Sequence, residues 1–93
     1  MADHHEDFRT RLQRVDPRGR LDLIPYSYET RAKNGEPDGW MASAFLVEDS
    51  RQYEYWPNIN RRYATERLGN SVAMWSLLRW LEAGRPPIKT ISG

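Results

Sequence analysis

The chain has 93 residues, 39% hydrophobic and 29% charged, with eleven aromatic side chains and no cysteine. This length supports one domain, the aromatic content excludes a disordered chain, and the missing thiols exclude disulfide scaffolds, thiolate metal sites and cysteine nucleophiles. A net charge of +1 excludes a uniformly basic polyanion binder. No apolar run reaches the roughly 18 residues of a membrane span, and the first residues (MADHHEDFRT) are charged where a signal peptide would be apolar. The expectation is a soluble cytoplasmic domain. Its charge is divided along the chain. Residues 1–20 carry five Arg against four acids, residues 21–57 three basic against seven acidic groups, and residues 58–93 six against two. Such unlike blocks suit self-association.

The first segment is predicted to be a helix. Asp3 and Glu6 have capping-box spacing, and Phe8, Leu12 and Val15 draw one narrow apolar stripe between Arg9, Arg11 and Arg14. Asp16-Pro17-Arg18-Gly19 stops it. From Leu21 to Arg31, Ile24, Tyr26 and Tyr28 alternate as in a strand, and Pro25 places that strand at an edge or a bulge. Residues 33–39 are dense in turn formers. Trp40 to Val47 follows as the strongest strand, apolar on both faces and therefore central or covered twice. After a reversal at residues 48–51, Gln52 to Trp56 forms a third strand with Tyr53 and Tyr55 on one face.

Thr65 is the plausible cap of the closing helix. Leu68, Val72, Met74, Trp75, Leu78 and Leu81 gather on about half of its circumference and are predicted to be its core stripe. Gly69 and Asn70 weaken its first turns, which moves the regular start toward Ser71. Gly84 stops it, and Pro86-Pro87 forbid continuation. The tail from Ile88 to Gly93 is loose or adds an edge strand. The order is α-β-β-β-α: an α+β domain with an N-terminal helix, a three-stranded antiparallel sheet and a C-terminal helix packed on the sheet.

Catalytic constellations are thin. His4 and His5 are adjacent, so on a helix they point about 100° apart and cannot comfortably share a metal. No serine has a usable base nearby. Glu48, Asp49 and Glu54 lie near one hairpin, but acids at turns and strand edges are ordinarily solvated. No enzyme activity, metal or cofactor is expected.

Binding surfaces are better supplied. If the outer strands flank the middle one, Tyr26, Tyr28, Tyr53 and Tyr55 share a face with Trp40 or Phe45, and such rings stack unpaired bases. Arg61, Arg62 and Arg67 follow and suit phosphate. Against that, the strands themselves carry acids (Asp22, Glu29, Glu48, Glu54), and tyrosine fits a half-buried strand without any ligand. A small-ligand pocket lined by Trp40, Tyr26 and Trp75 is a further reading.

The α-β-β-β-α order resembles that of double-stranded RNA-binding domains. In that family a basic cluster opens the last helix. Here the matching stretch, Thr65-Glu66-Arg67-Leu68-Gly69-Asn70-Ser71, holds one basic and one acidic residue, so RNA binding is not carried over. Gly39-Trp40-Met41-Ala42, Tyr63-Ala64-Thr65 and Trp80-Leu81-Glu82-Ala83-Gly84-Arg85-Pro86 resemble segments of small uncharacterised βββα proteins of bacteria and mobile elements. That resemblance implies the fold and a bacterial setting and no defined activity.

The closing helix also presents Ala73, Leu77 and Trp80 on the side away from its expected core stripe, to be covered either within the chain, by the first helix or by Ile88 and Ile91 folding back, or by a partner. A short chain has little material to bury two sides of one helix, and exposed Trp with Leu marks an interface. The expectation is therefore a non-catalytic protein–protein interaction module, a homodimer or small adaptor. Leu77 and Trp80 would stand at the centre of the contact, with Ala73 beside them and Arg79 and Arg85 at the rim. Partners would be a second copy or another protein; nucleic acid is the weaker alternative, and no membrane is implicated.

Overall fold

A computed structural model describes residues 7–87 and 91–92, in the order α1 (Phe8–Val15), β1 (Leu21–Pro25), β2 (Tyr28–Arg31), β3 (Pro37–Met41), β4 (Ala44–Glu48), β5 (Arg51–Tyr55), α2 (Glu66–Glu82) and β6 (Ile91–Ser92). Asp7 opens α1, where its carboxylate accepts the Thr10 N–H at 2.8 Å. That hydrogen bond holds the Asp7 carboxyl below its ordinary range. The expected capping pair, Asp3 and Glu6, lies outside the described residues. Asp16 ends the helix and turns its carboxylate forward to accept the N–H groups of Arg20 and Leu21.

Each of the two long strands expected from the sequence breaks in two. β1 pairs β4 and β2 pairs β3, both antiparallel, and the register is the same on either side of the break: Pro25 faces Ala44 and Tyr28 faces Met41. The Tyr26 N–H donates to the Ser43 carbonyl at 2.8 Å between them. The two short sheets are therefore one continuous ribbon bent at Tyr26-Ser27 and Ala42-Ser43. The bend is lined by small buried residues, Ser27, Ala42, Ser43 and Ala44, and α2 crosses it closely. A Cβ placed on Gly69 would come within 2.9 Å of the Ser27 Oγ. The Asn70 side chain accepts the Ser27 N–H at 3.0 Å. Gly69 and Asn70 thus make the contact between helix and bend, and α2 is regular from Glu66, earlier than the expected start near Ser71.

Gly39 also departs from the sequence reading, which placed it in the turn. It lies inside β3 at φ +115°, where a Cβ would be 2.8 Å from the Arg62 Cβ and 3.1 Å from the Tyr63 carbonyl oxygen. This lets Tyr63 run beside β3, with Trp40 and Tyr63 exchanging backbone hydrogen bonds of 2.8 and 2.9 Å. The reversal at Asp49-Ser50 is a two-residue hairpin with both residues left-handed (φ 50° and 67°).

The main sheet runs β1-β4-β5-β6, and β2-β3 extends from it as the bent end of the ribbon. β4 is central, as the sequence predicts, and β1 is an edge, one of the two placements that Pro25 allowed. Cross-strand partners share a face, so Leu21 and Glu48, then Leu23, Leu46 and Tyr53, then Pro25, Ala44 and Tyr55 occupy the inner face. On that face Leu46, Ala44, Leu21 and Tyr55 form one buried cluster with Ala73, Leu77 and Leu81 of α2. α1 lies against α2. The Phe8 ring meets Trp75 edge-on at 5.2 Å, and Arg11 donates from Nε to Glu82 at 2.8 Å and also from Nη2.

The expected core stripe of α2 is only partly right. Leu78 and Leu81 are buried, but Leu68 is 47% exposed, while Ala73 and Leu77 are wholly buried. The smallest side chains face the sheet because the bend requires a close approach. Thr65 caps α2 as predicted, accepting the Leu68 N–H at 3.1 Å. At the other end the Arg85 N–H reaches the Trp80 carbonyl and the Gly84 N–H the Leu81 carbonyl, a Schellman closure. Among the described residues no helix is long and apolar enough to cross a membrane.

Candidate interaction surface

The helix stripe predicted to meet a partner is occupied by the chain itself. Ala73 and Leu77 have no exposed surface and pack on the inner face of the sheet. Trp80 is half-buried, stacks on Tyr55 with ring centroids 6.3 Å apart, and donates its indole N–H to the Pro86 carbonyl at 2.7 Å. Arg85 forms a two-pronged pair with Glu48, at 2.8 and 3.0 Å. That pair holds Glu48 below its ordinary carboxylate range and raises Arg85. Arg79 is exposed and donates to Ser76 at 3.2 Å. Ala73, Leu77, Trp80 and Arg85 are thus engaged within the chain, and Arg79 lies at the surface of α2.

The four tyrosines do not share a face. Tyr53 and Tyr55 point inward with Leu46 and Ala44, and burial pushes the Tyr55 phenol above its ordinary value. Tyr26 and Tyr28 alternate onto the outer face, where Ile24 and Phe45 face each other across β1 and β4. The Tyr26 ring lies 4.9 Å from Phe45 and 5.9 Å from Tyr28, centroid to centroid. Ile24, Tyr26 and Tyr28 remain 46%, 47% and 37% exposed. Both helices lie on the inner face, so among the described residues no helix covers these rings. The strand positions around them are Asp22, Val47, Gln52 and Glu54. Two carboxylates and no cation alternate onto this face of β1, β4 and β5, and neither carboxylate has an ion-pair partner among the described residues. The period-two run Ile24, Tyr26, Tyr28 was the signal in the sequence. The parity of β5, which sends its tyrosines inward and Glu54 outward, was not legible before pairing was known.

Arg62 is committed to the fold. Its Nε donates to Thr30 Oγ1 at 3.0 Å and its Nη1 to the Ile59 carbonyl at 2.9 Å, next to the Met41 sulfur. Thr30 in turn donates to Asp38, which lies 4.0 Å from the same guanidinium. Arg61 is exposed and sits over the Tyr63 ring at 5.2 Å, and Arg67 is exposed in the first turn of α2. The trio is therefore dispersed between structural and surface roles.

The expected ligand pocket is not assembled. Trp40 lies on the ribbon beside Tyr63, Tyr26 on the outer face, and Trp75 against α1 with Arg11 over its ring at 5.3 Å. An open cleft of about 230 Å³ lies instead between the end of α1 and the start of β1, lined by Val15, Asp16, Arg18, Arg20, Glu48 and Arg85. Its acids are already used, Asp16 by backbone N–H groups and Glu48 by Arg85. Glu48 and Glu54 sit on opposite faces with Asp49 in the turn between, so the carboxylates do not converge. His4 and His5 lie outside the described residues, among which no group of three or more His, Cys, Asp or Glu side chains is placed to hold a metal. No family model, no curated protein and no solved structure matches the chain.

Proposed function

We propose that this protein is a non-catalytic protein-binding module whose contact surface is the outer face of the sheet. The observation that carries the reading is the line of exposed Ile24, Tyr26 and Tyr28 with Phe45 against the Tyr26 ring. Exposed aromatic and aliphatic side chains in one contiguous patch, rimmed by polar groups, are the usual composition of a binding surface. Tyr and Phe supply large contact area, and the tyrosine hydroxyls accept either water or a partner. Nucleic acid is disfavoured because Asp22 and Glu54 repel phosphate from these rings. The resemblance to small βββα proteins adds a bacterial setting to the proposal.

The test is photo-crosslinking in cells with p-benzoylphenylalanine placed at position 26 and, separately, at position 79 on the exposed side of α2. Protein adducts at position 26 and none at position 79 support the reading. Adducts at position 79 alone, adducts to nucleic acid, or no adduct at either position would overturn it.

A further inference from the structure

Resting on that reading, we infer that the outer face takes a short amphipathic helix with basic flanks, supplied by another protein. Three observations lead there. The first is charge. The face carries Asp22 and Glu54, neither of which has an ion-pair partner among the described residues, so an occupant that brings Lys or Arg to both sides of its apolar stripe neutralises groups that an uncharged occupant would leave desolvated.

The second is size. A standard interface uses roughly 20–30 residues per partner, whereas this patch is built on five apolar side chains, Ile24, Tyr26, Tyr28, Phe45 and Val47. It suits a short segment better than a stable dimer. Two copies meeting through it would also bring four unpaired carboxylates into one apolar contact.

The third is the state of the sheet edge. The Tyr26–Ser43 hydrogen bond fixes the alternation of the ladder, so the backbone groups of Leu21, Leu23, Pro25 and Ser27 point away from the paired strand. The Leu21 N–H is taken by Asp16 at 3.0 Å, Pro25 has none, and the Ser27 N–H is taken by Asn70 at 3.0 Å. Only Leu23 keeps an outward N–H without a partner among the described residues. An extended peptide cannot zip onto such an edge. The face itself offers side chains and no backbone groups, which is what the apolar stripe of a helix requires.

The experiment uses the full chain and two synthetic helical peptides of about 18 residues, some five turns, with the same leucine stripe and either lysine or glutamate on its flanks. Binding is read by fluorescence anisotropy and mapped by backbone amide shifts. The lysine peptide is expected to bind at least about tenfold more tightly than the glutamate peptide, to weaken with added salt, and to shift the amides of β1 and β4. Ile24→Ser with Tyr26→Ser should abolish binding of both. Asp22→Asn with Glu54→Gln should shrink the preference to below about threefold while the glutamate peptide gains. Equal binding of the two peptides at this face overturns the basic flanks and leaves the protein-binding reading standing. Failure of both peptides, with crosslinks to protein still forming at position 26, overturns the helix and spares the reading. Preference for the lysine peptide that survives Ile24→Ser with Tyr26→Ser places binding elsewhere and overturns the inference outright.

Discussion

Gly69→Ala is the substitution that most directly probes how α2 meets the bent ribbon. In an exposed helix interior this change stabilises by about 1 kcal/mol, because alanine loses less backbone entropy on folding. Here the added Cβ would stand 2.9 Å from the Ser27 Oγ and 3.2 Å from the Ser27 Cβ. Ser27 has little room to retreat, since it is buried and its N–H is held by Asn70. Overpacking of this kind costs about 1–3 kcal/mol, so the net expectation is a loss of about 0–2 kcal/mol. In a Ser27→Gly background both close atoms are gone, and the same Gly69→Ala change should recover its gain of about 1 kcal/mol. The assay is a thermal or urea double-mutant cycle. At this chain length about 1 kcal/mol moves the midpoint by roughly 4–8 °C, well above error. A clear rise in stability for Gly69→Ala alone would refute the reasoning, because the helix would then have space where close approach is claimed.

Two further outcomes follow from the electrostatics and the edge. Hydrogen bonds from Arg11 and Arg85 hold Glu82 and Glu48 below their ordinary value of 4.5. A carboxyl lowered in the folded state contributes stability above its unfolded pKa and loses it as pH falls through the folded one. Glu82→Gln is therefore expected to be less stable than the parent near neutral pH by a few tenths of a kcal/mol, as for an exposed pair. The two melting curves should converge as pH falls from 4.5 through the lowered folded-state value, and a gap that widens in acid would contradict the assignment. Separately, Asp16→Ala with Pro25→Thr reopens donors along β1. It should promote concentration-dependent association beyond that of the parent, seen by sedimentation, and the same concentration dependence in both proteins would argue against edge blocking.

Much of the architecture was legible in the sequence. The Thr65 cap, the Gly84 stop, the Asp16-Pro17 break and the edge position marked by Pro25 rest on local backbone chemistry, which does not depend on the partner element. The orientation of α2 was not legible. That helix is apolar on most of its surface, so summed hydrophobicity pointed to Leu68, Val72 and Trp75, whereas the sheet-facing line is Gly69, Ala73 and Leu77. Bulk was the wrong guide because the ribbon bends toward the helix, and only small residues let the two backbones approach. The bend was itself hidden, since Ser27 and Ser43 read as unremarkable polar positions until both proved buried. The consequence for function was direct: Leu77 became interior, Trp80 half-buried against Tyr55, and the exposed rings proved to be Tyr26 and Tyr28.

The unbroken register through the bend has a consequence for how chains of this kind can vary in length. A single residue inserted on either arm between Leu21 and Thr30, or between Gly39 and Glu48, would swap inward and outward positions for everything beyond it. The rings would turn under the helix and the leucines into water. Length changes are therefore confined to the tip at residues 32–36, where no face is at stake, and drift among related chains should accumulate there while both arms keep their residue count.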